Sequence, residues 1–223
     1  MGDAEEPDEA HVFSQEFWDE RYAAHDRVWS GQPNQRLVEH AAGLTPSVSL
    51  DVGCGEGADV VWLAQRGWRA IGGDLSVVAI EKARQHAIEA GVGDRTEWVH
   101  LDLLAGGELP EADLVTAMYV HVPDADFDRV YTAVAGAVRP GGTLLVAAHH
   151  PAEADTGLRN PTLSHLLFAP ERVTALLGPQ WRIDVAEAVT RAVPGHDHEH
   201  DHGHGHGEHA TDTVVVARRS QDR

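Results

Sequence analysis

Between Leu50 and Gly57 the chain reads Leu-Asp-Val-Gly-Cys-Gly-Glu-Gly, directly after a short apolar run and directly before a helical pattern. Glycines at 53, 55 and 57 let the backbone turn sharply and approach a ligand with no Cβ in the way. The helix that follows offers backbone N–H groups left unpaired at its first turn. Asp74 closes the next apolar run, placed to accept hydrogen bonds from both hydroxyls of a ribose. Asp102 follows a third run, where the edge of an adenine would lie. The chemistry these positions suit is the binding of an adenosine-bearing cofactor. The turn alone fits two other readings. Gly53-x-Gly55-x-x-Ala58 also satisfies the relaxed nicotinamide-dinucleotide pattern, and glycine turns also serve as plain strand-to-helix connections.

Two histidine sets could act beside such a cofactor. Tyr119 and His121 follow the fourth apolar run, and His149 and His150 follow the fifth, the strand ends that face substrate in a parallel sheet. A histidine there is a proton acceptor or a hydrogen-bonded structural residue, and His121 is placed nearer the structural role. His149 and His150 are neighbours and face opposite ways in extended backbone, so one of them is expected to reach a pocket. The second set is His196, His198, His200, His202, His204, His206 and His209, interleaved with Asp, Glu and Gly. Imidazoles at this density bind zinc, nickel or copper adaptably, and nickel or zinc is the expected ion.

The elements that position these residues follow from periodicity. Phe13, Phe17, Trp18 and Tyr22 recur at helical spacing from Val12, with Phe13 and Phe17 read as the buried stripe. Trp29 to Asn34 reads as a turn, and Gln35 to Ala42 as a short helix punctuated by Gly43 and Pro46. From Ser47 strand and helix alternate. Strands are expected over Val48–Val52, Arg69–Gly73, Thr96–Leu101, Asp113–Met118 and Thr143–Ala148. Helices are expected over Asp59–Gln65, Val77–Ala90 and Asp126–Val138. Two helical pieces lie within Pro161–Leu177, and last strands at Trp181–Val189 and Thr213–Arg218. The alternation predicts a Rossmann-like α/β fold, a doubly wound seven-stranded mostly parallel sheet with an antiparallel last strand. Residues 1–10 read as a disordered acidic tail and 11–223 as one domain, with 11–46 an N-terminal helical lid and 195–210 a histidine-rich loop between the last two strands. If those two strands form an antiparallel hairpin, the loop leaves the sheet at the cofactor edge.

The glycine turn, Asp51, Asp74, Asp102 and the Arg139-Pro140-Gly141-Gly142 lead into the fifth strand together resemble the class I S-adenosylmethionine-dependent methyltransferases, over roughly Leu50 to Ala148. The resemblance implies that Asp51 fixes the glycine loop near the methionine amino group. It implies that Gly53, Gly55 and Gly57 line the methionine and ribose, that Asp74 with Leu75 holds the ribose, and that Asp102 with Leu103 frames the adenine. Trp18-Asp19-Glu20-Arg21-Tyr22, followed by Val28-Trp29-Ser30-Gly31-Gln32-Pro33-Asn34, is similar to the lid of the tellurite-resistance and thiopurine-type methyltransferases, which act on small, soft nucleophiles. There an aromatic residue matched by Trp29 packs near the cofactor. An indole face also stabilises a sulfonium cation on physical grounds alone.

Composition bounds the alternatives. A formal net charge of −19, with histidine neutral, repels phosphate backbones and argues against nucleic-acid substrates. Cys54 is the only cysteine, which excludes an internal disulfide and a multi-cysteine zinc site. No apolar run is long enough to span a bilayer, and the acidic first ten residues lack the order of a secretory leader, so a cytoplasmic protein is expected. The expected function is methyl transfer from S-adenosylmethionine to a small molecule at sulfur, selenium or tellurium, driven by positioning of an in-line displacement. O- or N-methylation of a small metabolite is the alternative on the same fold. A metal-binding or metal-sensing protein is the non-enzymatic alternative, and a nicotinamide oxidoreductase a further one.

Overall fold

The computed structural model describes residues 9–154, 156, 161–192 and 209–221. His196, His198, His200, His202, His204 and His206 lie outside them, as do residues 1–8 of the expected tail. Apolar runs alternating with amphipathic helices produce β1 (Val48–Val52), β2 (Arg69–Asp74), β3 (Thr96–His100), β4 (Ala112–Met118) and β5 (Val138–His149). These pair in parallel in the order β3-β2-β1-β4-β5. β6 (Trp181–Ala192) and β7 (His209–Arg219) complete the seven-stranded sheet. β7 lies between β5 and β6 and runs antiparallel to both. The order reverses between β1 and β4, so the carboxyl ends of these two strands open a crevice.

Period-two alternation divides the core between the two faces of the sheet. Leu50, Val52, Val115, Leu144 and Val146 pack on one face with Phe127, Val130 and Val134 of α6 (Phe127–Gly136). Leu114, Leu145, Val214 and Val216 pack on the other with Leu37 of α3 (Gln35–Ala41) and Val60 and Leu63 of α4 (Ala58–Gln65). α5 (Val77–Glu89) follows β2, its N-terminus capped by Ser76, whose Oγ accepts from Ala79 N at 3.0 Å. Among the described residues no helix is long and apolar enough to cross a membrane.

Several expected boundaries move. The first helical stretch is α1 (Glu9–Val12) and α2 (Gln15–Ala23), broken where Ser14 caps α2 by accepting from Phe17 N. α1 therefore starts inside the stretch read as a disordered tail. Phe13 and Phe17 are only half-buried, and Tyr22 is the buried residue of α2. Arg139 to Gly142 belong to β5, where a register shift opposite Ala112 to Leu114 absorbs them. Of Pro161–Leu177, Pro161–Leu166 is a 3-10 turn and Pro170–Thr174 is α7. His209 is the first residue of β7, paired with Ala192, and so is not part of a loop.

Candidate active site

The glycine turn is fastened to the end of β2. Gly53 N and Cys54 N both donate to Gly73 O, at 2.8 and 3.0 Å. Gly55 has φ +51°, and a Cβ there would lie 2.9 Å from Tyr22 Oη and 3.3 Å from Trp29 Nε1. Gly57, at φ +81°, precedes α4 with no side chain capping the helix, so the first-turn amides are left for a ligand. Asp74 Oδ2 accepts from Gly55 N at 2.7 Å and Oδ1 from Ser76 N at 2.9 Å. Each oxygen keeps a lone pair for a ribose hydroxyl. Leu75 is half-buried, its carbonyl 2.9 Å from His100 Nε2. Asp102 Oδ1 accepts from Leu104 N and Ala105 N, both at 2.9 Å, which fixes the turn carrying the half-buried Leu103.

Three carboxylates are buried behind this cradle. Asp51 Oδ1 accepts from Thr116 Oγ1 at 2.6 Å, and Asp59 Oδ1 from Asn34 N at 2.6 Å. Together with Asp74 their hydrogen bonds come from a hydroxyl and backbone N–H groups, none of them cationic. Burial pushes all three upward: Asp59 to about 6, Asp74 above the ordinary range, and Asp51 well above it, with Asp59 adding to the effect on Asp51. A cation placed beside these acids would favour their ionised forms. Sign follows directly. These acids favour the ligand-free fold while protonated, that contribution is lost as pH rises through about 6, and a bound cation restores it. S-adenosylmethionine affinity is therefore expected to weaken about fourfold from pH 7.5 to 5.5 through Asp59. Titration calorimetry checks this. Asp59→Asn should flatten the dependence, and an equally steep slope in that variant would remove Asp59 from the account.

The N-terminal segment is held over the turn by charge. Buried Glu56 accepts from Val28 N and Trp29 N through Oε2, at 3.0 and 3.1 Å. Lys82, the only lysine in the chain, donates to the carbonyls of Tyr22 (2.7 Å), His25 and Asp26 (3.2 Å). Its Nζ also lies 3.5 Å from Glu56 Oε1. Asp19 accepts from Ser76 Oγ at 2.6 Å, docking α2 on the start of α5. Trp29 Nε1 donates to Tyr22 Oη at 2.9 Å, which sets the indole beside Gly55 while leaving it 49% exposed.

On the acceptor side, Tyr119 has φ +57°, alone among the described non-glycine residues in the left-handed region. Its ring centroid lies 4.5 Å from that of His149, and its Oη lies 3.0 Å from Asp212 Oδ1. Burial, then the Asp212 charge, pushes its phenol up to about 12, so it is a hydrogen-bond donor and not a base at neutral pH. His121 stacks on His149 at 5.3 Å, with its Nδ1 3.0 Å from Tyr119 O. His149 Nδ1 is 3.5 Å from Glu153 Oε2. His150 turns away: its Nδ1 accepts from Ala152 N at 3.1 Å and caps the 3-10 turn Pro151–Glu153. The fold thus gathers Tyr119, His121 and His149 and leaves His150 a capping role.

Sequence reasoning missed the acids and bases that bind this group together. Asp212 meets Arg36 Nε and Arg191 Nε, each at 3.1 Å, and Glu153 is 1% exposed. The one usable signal was Asp212 itself, a charge leading into the Val214–Val216 run of a strand. His149, Glu153 and Asp212 bring ligand atoms within 4.8 Å of one another. Asp212 already faces two guanidiniums and a phenol, so the group is a neutralised polar network.

Residues 50–142 match the family model described as a methyltransferase domain. The strand order and the cradle above agree with that match, which takes in less than half of the chain. The ubiquinone biosynthesis O-methyltransferase of Cupriavidus pinatubonensis is 36% identical over 112 residues, covering 49% of this chain and 44% of that protein. The match thus spans less than half the relative's length. Among solved structures, one from work on converting a disulfide bond into a thioacetal group during echinomycin biosynthesis has a TM-score of 0.67 at 22% identity, covering 94% of this chain and 93% of that one. TehB from Haemophilus influenzae has a TM-score of 0.65 at 15% identity, covering 93% and 67%. Both share the fold.

Proposed function

We propose that the chain transfers a methyl group from S-adenosylmethionine to a small molecule, with oxygen as the acceptor atom. The observation that carries this is His149, an imidazole set beside Tyr119 at the same sheet edge as the glycine cradle. The name of the Cupriavidus relative supports the choice of oxygen. The cradle fits the cofactor: a Cβ at Gly55 would fill it, and the acids behind it want a cation. Bound there, S-adenosylmethionine supplies an electrophilic methyl on sulfur. In this reading Asp74 and Leu75 hold the ribose, Asp102 and Leu103 the adenine, and Asp51 and the turn glycines the methionine end. Trp29 lays an indole face near the sulfonium. His149 takes the acceptor's proton, with Tyr119 and His121 fixing its ring.

S-adenosylhomocysteine release across catechols, phenols, amines, thiols, selenite and tellurite tests the proposal. His149→Ala is expected to lower kcat for the preferred hydroxyl acceptor by roughly 10²–10⁴-fold. Unchanged kcat would take His149 out of the mechanism. A second reading, methylation of sulfur, selenium or tellurium, draws on the lid similarity of Trp18–Tyr22 and Val28–Asn34, and a thiolate or tellurite outrunning every hydroxyl would establish it. We further propose that His196, His198, His200, His202, His204, His206 and His209 bind nickel or zinc. The reading draws on the two described residues that flank the histidine-rich segment, Ala192 and His209, which pair with each other, His209 on the same strand that meets His149 through Asp212. The same assays run in chelator and in added metal decide whether the ion touches turnover.

A further inference from the structure

Holding a methyl donor and an acceptor asks nothing of Lys82 or Glu56, yet both are placed with care. Glu56 is 6% exposed, and a carboxylate buried that deeply needs compensation. Its Oε2 takes the N–H groups of Val28 and Trp29, at 3.0 and 3.1 Å, and its backbone carbonyl lies 3.0 Å from His86 Nδ1 on α5. Lys82 stands one turn earlier on that helix. Its ammonium meets the carbonyls left open where α2 ends, Tyr22 O at 2.7 Å, Asp26 O at 3.2 Å and His25 O. A cation is favoured at a helix C-terminus, and Glu56 Oε1 at 3.5 Å joins the two halves. A second tie runs through Ser76, whose N donates to Asp74 Oδ1 at 2.9 Å and whose Oγ donates to Asp19 Oδ1 at 2.6 Å. Both ties end on the cradle: Glu56 lies between Gly55 and Gly57, and Ser76 lies two residues past Asp74.

We propose that Lys82 and Glu56 form a latch that positions Tyr22 and Trp29 on the cofactor, so that S-adenosylmethionine is held only as firmly as the N-terminal segment is docked. The inference rests on the cofactor reading of the cradle and is independent of the acceptor atom. The physical route is short. A Cβ at Gly55 would meet Tyr22 Oη at 2.9 Å and Trp29 Nε1 at 3.3 Å, so a ligand seated on Gly55 lies against both side chains. Contacts made only in the docked arrangement shift the segment toward it. By linkage, docking tightens the hold on the ligand by the same factor. Lys82 acts through the backbone of residues 22, 25 and 26, which makes it a positioning residue. An ammonium that donates to three carbonyls has no lone pair to offer, so Lys82 reacts as an amine only after the latch releases it.

Lys82 is the only lysine in the chain, so its acetylation by acetic anhydride, followed by mass spectrometry of the peptide that carries it, reports the released fraction. In the full-length protein at neutral pH, saturating S-adenosylhomocysteine is expected to slow that acetylation at least about fivefold. Lys82→Met keeps the apolar stem and removes the charge. Dissociation of S-adenosylhomocysteine, measured by stopped-flow displacement, should then become roughly 10- to 100-fold faster with the circular dichroism spectrum unchanged. Lys82→Arg, which keeps a cation, should recover part of that loss. Acetylation that holds constant or speeds up with the ligand bound overturns the proposal. So does a dissociation rate in Lys82→Met within about twofold of the unaltered protein. The acetylation arm uses the unaltered protein and gives its answer even where Lys82→Met fails to fold. Titration calorimetry separates the two ways of failing. Binding of S-adenosylhomocysteine without protection of Lys82 sinks the latch alone, while absence of binding sinks the cofactor reading and the latch together.

Discussion

Asp212→Ala should lower the free energy of unfolding by about 3–5 kcal/mol, because it strands the buried Arg36 guanidinium and takes an ion-pair partner from the part-exposed Arg191. Arg36 is 5% exposed, and among the described residues its Nη2 already lacks a hydrogen-bond partner. Its remaining partner after the substitution would be Glu39, at 2.9 Å and itself part-exposed. Arg191 would lose the 3.1 Å contact that holds its Nε, and the Tyr119 hydroxyl its acceptor. Removing charge from both sides is the discriminating control. Arg36→Met added to Asp212→Ala should recover more than about 1 kcal/mol, since an apolar side chain needs no counter-ion. Urea denaturation followed by circular dichroism measures both. A single-variant cost under about 1 kcal/mol would mean that solvent replaces the carboxylate and that the network is not a structural hub.

Gly57→Val is the second large effect. Its φ of +81° is strained for any side chain, and a Cβ there would meet Trp98 Cη2 at 2.7 Å and Ala83 Cβ at 2.8 Å. The dihedral costs roughly 1–2 kcal/mol and the overpacking a further 1–3 kcal/mol, and both fall at the start of α4. Cofactor binding should fall with them, by more than about a hundredfold, because the first-turn amides shift with the helix. Gly91→Ala separates the two terms. It shares a positive φ of +70° but has nothing within 4 Å of the added carbon, so only the dihedral cost of about 1 kcal/mol remains. Equal losses at the two positions would remove the steric clash from the account.

Much of this architecture was legible because it repeats locally. The Val48–Val52 run, the glycine turn and the alternation that follows are short-range patterns, and the strand order is the one they favour. What the sequence hid is long-range. Nothing near Glu153 announces that a turn folds it back on His149, because its partner Thr211 arrives from the end of the chain. Lys82 looks like one polar position on an amphipathic helix. Only the fold shows three backbone carbonyls of the N-terminal segment converging on it. The pair His149 and His150 lay between. Alternation predicted that they diverge, while the choice of His149 came from Tyr119 and His121, which meet it from the end of β4.

The place of β7 between β5 and β6 sets an order of assembly on a growing chain. β6 is made first but has no ladder partner until β7 emerges, whereas β1 to β5 pair among themselves. The Arg36–Asp212 contact closes across 176 residues and waits on the same strand. The glycine turn between β1 and α4 can therefore form before β7 is made, with Arg36 and the flank of β5 left uncovered in the interval.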